Sequence, residues 1–179
     1  MRRRELLTTL AAASATATAG CNTLDAMTSD EDTEGEAVTV ETLDAPGSQA
    51  GTTTVPAADE VSFVEFFATT CPVCAAQMPA LGEASRRVGD DVQFLSVTSE
   101  PVGYTVTRGD VASWWADHDG AWPVGVDDGT ALAQRYGATS VPKAVVVRPD
   151  GTVAWSHTGR VEAASIVEAI RAAAEGDRP

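Results

Sequence analysis

The chain has 179 residues, 44% of them hydrophobic, and its 26 Asp and Glu against 12 Lys and Arg give a formal net charge of -14 at pH 7. That length accommodates one domain with a real core, and charge of this sign excludes nucleic acid and attraction to anionic lipid as modes of binding. Lys143 is the only lysine.

Arg2, Arg3 and Arg4 precede Leu6 and Leu7, and a weakly apolar run of Leu, Ala, Thr and Ser follows as far as Ala19. A basic start, a short apolar stretch and small residues before a cysteine form a secretory signal over residues 1–20. Its paired arginines resemble a twin-arginine signal. Residues 6–19 are too few and too polar to span a bilayer, which takes about 20 apolar residues. Thr18-Ala19-Gly20-Cys21 resembles a lipobox with Thr18 in place of the usual Leu. Cys21 is therefore expected to carry lipid and to anchor the mature chain at the outer face of the cell membrane. The alternative is an ordinary signal peptide with an incidental cysteine. Removing residues 1–20 takes away three Arg and one Glu, so the mature charge is -14 - 2 = -16. Residues 21–36 are acidic and poor in large apolar side chains, and are expected to form a disordered tether.

Residues 37–175 read as the folded domain. Val38–Leu43 alternates like a strand, Ala45-Pro46-Gly47-Ser48 supplies turn chemistry, and Thr52–Val55 returns to complete a hairpin. Val61–Ala68 is rich in Val and Phe with one charge, Glu65, in its middle, and reads as a buried central strand. Cys71-Pro72-Val73-Cys74 follows, and then Met78, Leu81, Ala84, Ser85 and Val88 recur at helical intervals. Cys71 falls at a helix N-terminus, where unpaired N–H groups and the helix dipole favour a thiolate below the free-thiol pKa of about 8.5. Cys74 lies one turn inside on the same face and can close a disulfide with it.

Val92–Val97 reads as a further strand and Ser99–Gly109 as a loop. Asp110 is expected to cap a helix through Asp117, with Trp114 and Trp115 packed on the sheet. Trp122–Val126 suits a short strand, and Thr130–Tyr136 a helix closed by Gly137. Ala144–Val147 and Thr152–Ser156 flank Pro149-Asp150-Gly151, a hairpin signal. A closing helix spans Val161–Ala174, with Val161, Ile166, Val167 and Ile170 as its apolar set.

Strand, Cys-x-x-Cys and helix in this order resemble the thioredoxin superfamily, and three further positions agree. Glu65 lies six residues before Cys71, where the family commonly holds a buried acid. Pro79 lies five residues after Cys74, where thioredoxins often kink the helix. Val141-Pro142 resembles the cis-proline loop that packs beside the cysteine pair. Thr70 departs from the pattern, standing where many members place Trp. The N-terminal hairpin and the added helix and strand units are similar to the TlpA and ResA branch.

The resemblance implies an α/β, thioredoxin-like fold: a central mixed sheet flanked by helices, with an N-terminal β-hairpin and an α/β insertion. It implies an extracytoplasmic thiol-disulfide oxidoreductase whose only redox group is the Cys71–Cys74 disulfide. Cys71 would attack a partner disulfide, Cys74 would resolve the mixed disulfide, and Glu65 would take up the Cys74 proton. Val141 and Pro142, with Pro72 and Val73, would contact the substrate. The partners implied are protein thiols and disulfides, with a membrane dithiol donor.

Pro72-Val73 offers Cys71 no cationic neighbour, which favours a reductant, such as those serving apocytochrome c, over a disulfide-forming oxidant; the oxidant stays as the alternative. A second alternative is a zinc- or copper-binding module, but a closed zinc site wants four ligands, and His118 and His157, the only histidines, read as surface residues. Acidity with Arg preferred to Lys resembles proteins of salt-loving archaea, the alternative being an acidic mesophile protein.

Overall fold

A computed structural model describes residues 37–176. The expected signal over residues 1–20, Cys21 and the acidic tether of residues 21–36 lie outside the described residues.

In chain order the elements are β1 (Val38–Thr42), β2 (Gly51–Val55), β3 (Ser62–Phe67), α1 (Pro72–Val88), β4 (Gln93–Thr98), α2 (Arg108–Asp117), β5 (Val124–Val126), α3 (Ala131–Arg135), β6 (Lys143–Val147), β7 (Val153–Thr158) and α4 (Ala163–Glu175). One seven-stranded sheet has the order β2-β1-β5-β4-β3-β6-β7. The strands β3, β4 and β5 are parallel, and the outer pairings are antiparallel. This is the mixed sheet with flanking helices, leading hairpin and α/β insertion expected from the sequence.

Every residue of β3 is buried, as a strand covered on both faces requires. Its period of two sends Phe63, Glu65 and Phe67 to one face and Val64 and Phe66 to the other. On the first face Phe63 and Phe67 join Met78 and Leu81 of α1, Trp115 of α2, and Ile166, Val167 and Ile170 of α4. On the second, Val64 and Phe66 meet Leu95, Val97, Val145 and Leu132 of α3. Phe63 stacks on Phe94 at 4.4 Å, and Trp115 meets Trp122 edge-on at 4.7 Å. The insertion is thereby tied into the core. Gly125 lets β1 lie against β5, since a Cβ there would stand 2.7 Å from the Glu41 carbonyl oxygen.

Several boundaries differ from the sequence expectation. Thr107, not Asp110, is the N-cap of α2: its hydroxyl accepts from Asp110 N at 3.1 Å, while the Asp110 carboxylate accepts from Thr107 N at 2.8 Å. That is a capping box, with the acid at the third helical position. The strand expected from Trp122 begins at Val124, because Pro123 has no N–H to give the ladder; its carbonyl accepts from Ser96 N at 3.0 Å instead. Thr130 does not lie within α3; it sits at φ 63° just before it. The buried Asp127 carboxylate caps that helix, accepting from Leu132 N at 3.0 Å and Ala133 N at 2.7 Å. Finally, α1 continues through Pro79 as a single helix, and β7 runs on to Thr158.

Candidate active site

The parallel strands β3 and β4 end side by side, Phe67 paired with Thr98, so the loops leaving them share one edge of the sheet. At that edge Cys71 is the N-cap of α1, and Pro72 takes the first helical position, where a missing N–H costs nothing. Cys71 and Cys74 form a disulfide across a Cα–Cα distance of 5.2 Å. The backbone N–H of Cys74 points at Cys71 Sγ from 3.0 Å. Once the pair is reduced, that N–H and the helix dipole favour negative charge on Cys71. Only one sulfur is reachable: Cys71 is half-buried, whereas Cys74 is buried against Met78 and Leu81.

The Val141–Pro142 peptide bond is cis, and the Val141 carbonyl oxygen lies 3.9 Å from Cys71 Sγ. Val141 is 38% exposed and Val73 46% exposed, while Pro142 is buried and its carbonyl accepts from Gly159 N at 2.8 Å. The pair is therefore flanked by two outward valines on a pinned backbone. Thr70, in the position where relatives often carry Trp, is exposed.

Glu65 lies on the α1-facing side of β3, between Ser96 and Ala144 of the neighbouring strands. It is 2% exposed, and its Oε1 has no hydrogen-bond partner. Ser96 Oγ, the nearest polar group in register, accepts from Trp122 Nε1 at 3.0 Å. Burial without a cation pushes the Glu65 carboxyl up to about 8, so it is protonated at neutral pH.

The structure thus brings Cys71, Cys74, Pro72, Val73, Val141 and Pro142 to one edge and places Glu65 in the core layer that α1 covers. Sequence reasoning missed two ties to this site. The Glu100 carboxylate accepts from Thr69 N at 2.8 Å and from the Thr69 hydroxyl at 2.9 Å, fixing the segment that leads into Cys71. Gln77, one turn past Cys74, exchanges two hydrogen bonds with the Val161 backbone, at 2.8 and 2.9 Å. Neither leaves a signal in the sequence, because both depend on long-range register. His118 stacks on Trp114 at 4.3 Å, and His157 stacks on Trp155 at 5.8 Å. Among the described residues no three His, Cys, Asp or Glu are grouped to hold a metal ion.

Comparison with known proteins agrees with this geometry. The thiol-disulfide oxidoreductase ResA of Halalkalibacterium halodurans is 24% identical over 131 residues, 72% of this chain and 63% of that protein, so the chain spans less than two thirds of that relative's length. Among solved structures, the pneumococcal exposed lipoprotein thioredoxin from Streptococcus pneumoniae has a TM-score of 0.65 at 23% identity, covering 76% of this chain and 99% of that one. StoA from Bacillus subtilis has a TM-score of 0.64 at 16% identity, covering 75% and 96%. At these identities the structures establish the shared thioredoxin-like fold. The family model described as Redoxin matches residues 31–170, from just before the hairpin into the last helix, and the chain belongs to the Redoxin family.

Proposed function

We propose that the protein is an extracytoplasmic thiol-disulfide oxidoreductase that reduces protein disulfides through Cys71 and Cys74. The observation that carries this reading is the disulfide at the N-terminus of α1, with one sulfur reachable, one covered, and the cis Val141–Pro142 backbone beside it. It is supported by the Redoxin match and by a relative whose name is thiol-disulfide oxidoreductase.

In the reduced protein, the Cys71 thiolate attacks one sulfur of a partner disulfide. A Cys71–partner bond forms, the partner's S–S bond breaks, and the second partner sulfur leaves as a thiolate that takes a proton from water. The ionised form of Glu65, a minority at neutral pH because its pKa is about 8, takes the proton of Cys74, directly or through water, and Cys74 attacks Cys71 Sγ. The mixed disulfide breaks, the partner departs with both sulfurs reduced, and the chain keeps the Cys71–Cys74 bond. Two electrons have moved from the pair to the partner, and a dithiol donor in the membrane restores them. Val141 and Pro142, with Pro72 and Val73, hold the partner's extended segment. The reaction needs no cofactor beyond the pair.

The direction rests on Pro72-Val73, which gives the Cys71 thiolate no cationic partner and so leaves the reduced form a good electron donor. Apocytochrome c cysteines awaiting haem are the substrate class we favour. For location, Cys21 would carry a lipid anchor and residues 21–36 would tether the domain; among the described residues no helix is long and apolar enough to cross a membrane. Surface acidity supports a salt-loving source.

The test is a pair of variants incubated with a disulfide-bonded protein. Cys74→Ser should accumulate a mixed disulfide visible by intact mass, whereas Cys71→Ser should form none. Trapping by Cys71→Ser alone would reverse the two roles, and trapping by neither would overturn the reading.

A further inference from the structure

The loop that leaves β4, at the sheet edge where β3 runs on to the disulfide, is not used by the reaction above. Glu100 closes β4 onto the active-site segment, its carboxylate holding Thr69 as well as accepting from the Thr98 hydroxyl at 3.0 Å. The chain then makes a compact projection. Tyr104 N and Thr105 N donate to the Pro101 carbonyl at 3.1 and 3.2 Å, and Gly103 N donates to the Val106 carbonyl at 2.7 Å. Val106 is buried in the core and Val102 packs against it, which roots both sides of the projection. Its tip carries Tyr104, 92% exposed. A turn keeps its first and last Cα atoms within about 7 Å, so the Tyr104 backbone stays near Pro101, the residue that follows the Glu100–Thr69 tie.

Charge gives this placement its meaning. In a chain with 26 Asp and Glu, residues 66–82, 101–107 and 136–142 contain no Asp, Glu, Lys, Arg or His. The first holds the disulfide, the third holds Val141, whose carbonyl oxygen lies 3.9 Å from Cys71 Sγ, and the second follows directly on Glu100, which holds Thr69; Val73, Tyr104 and Val141 are the large apolar side chains they expose. The carboxylate at the root of the loop, Glu100, is engaged by Thr69 and Thr98, so a strongly basic partner segment would find no unengaged carboxylate within these three segments to pair with.

We infer that the Pro101–Thr107 loop is a specificity arm of the disulfide site, with Tyr104 packing against an apolar or aromatic side chain of an uncharged, extended partner segment next to the partner's cysteine. The inference rests on the thiol-disulfide reading and adds the class of segment that reading leaves open. Tyr offers a large contact area at small entropic cost, and an aromatic contact of about 0.5–1.5 kcal/mol corresponds to roughly 2- to 13-fold in affinity.

The test compares Tyr104→Ser and Tyr104→Phe with the parent on three oxidised substrates: a disulfide peptide with Leu and Phe beside its cysteines, the same peptide with Ser at those positions, and glutathione disulfide. Tyr104→Ser should lower kcat/KM several-fold for the apolar peptide, through KM, and leave the Ser peptide, glutathione disulfide and the midpoint potential unchanged. Tyr104→Phe should retain the parent's preference. An equal loss on all three substrates, or no loss on the apolar peptide, would overturn the arm. Inertness of the parent toward all three would overturn the underlying reading as well, a result separate from any effect of Tyr104.

Discussion

Glu65 is a carboxyl in a layer built of Phe and Val, with no cation among the groups that face it in the sheet. Its pKa rises from 4.5 to about 8 because burial penalises the charged form. The native state therefore keeps a proton that the unfolded chain releases, and the residue's contribution to stability falls as pH rises from about 4.5 toward about 8. Glu65→Gln removes that dependence: equal to the parent near pH 4, the variant should be more stable above pH 8, by about 5 kcal/mol at most. Urea unfolding at several pH values measures it, and parallel curves for the two proteins would contradict it. In exchange kinetics the same variant should lose the inflection near pH 8 in the resolution step, slowing it roughly 10²-fold or more if Glu65 is the proton acceptor. Its place six residues before Cys71, where the thioredoxin resemblance puts a buried acid, made this residue legible in the sequence. Glu100 was not legible, because its hold on Thr69 follows from the parallel register of β3 and β4, which no local pattern displays.

Among the elements, α1 was the easiest to anticipate, since its buried stripe of Met78, Leu81 and Ala84 keeps helical period and Cys71 starts it. The insertion was harder. Thr107-Arg108-Gly109-Asp110 carries the spacing of a capping box, yet Asp110 alone also looks like a cap, and only the reciprocal hydrogen bonds decide between them. Asp127 shows a further limit, because it caps α3 across a turn containing Gly129 at φ 78° instead of from the residue just before the helix. Its removal has a definite cost. Asp127→Ala would leave two buried N–H groups unpaired and should destabilise the domain by roughly 2–4 kcal/mol, with Asp127→Asn, which keeps one acceptor oxygen, losing less. Denaturant midpoints for the two variants check the order, and equal losses would show that packing, not hydrogen bonding, sets the effect. The Leu81→Ala cavity, in the layer under the disulfide, should cost about 2–5 kcal/mol.

For the whole molecule, the formal charge of -14 meets few countercharges. Two ion pairs between described residues, Arg87–Glu83 and Arg108–Glu41 at 3.2 and 2.6 Å, are both solvent-exposed, where such pairs contribute little. Self-repulsion should therefore dominate at low ionic strength, and the melting temperature should climb as NaCl rises from dilute to molar concentration. A melting temperature indifferent to salt would count against a salt-loving origin. The redox account is tested most directly by one equilibrium measurement: the domain is held in glutathione buffers of graded potential and its free thiols are counted by alkylation and intact mass. Cys71 and Cys74 should appear together in a single two-electron transition, with a midpoint nearer about -270 mV than about -120 mV. A midpoint above about -180 mV would make the protein a disulfide donor, and thiols that never titrate reversibly would contradict exchange through this pair altogether.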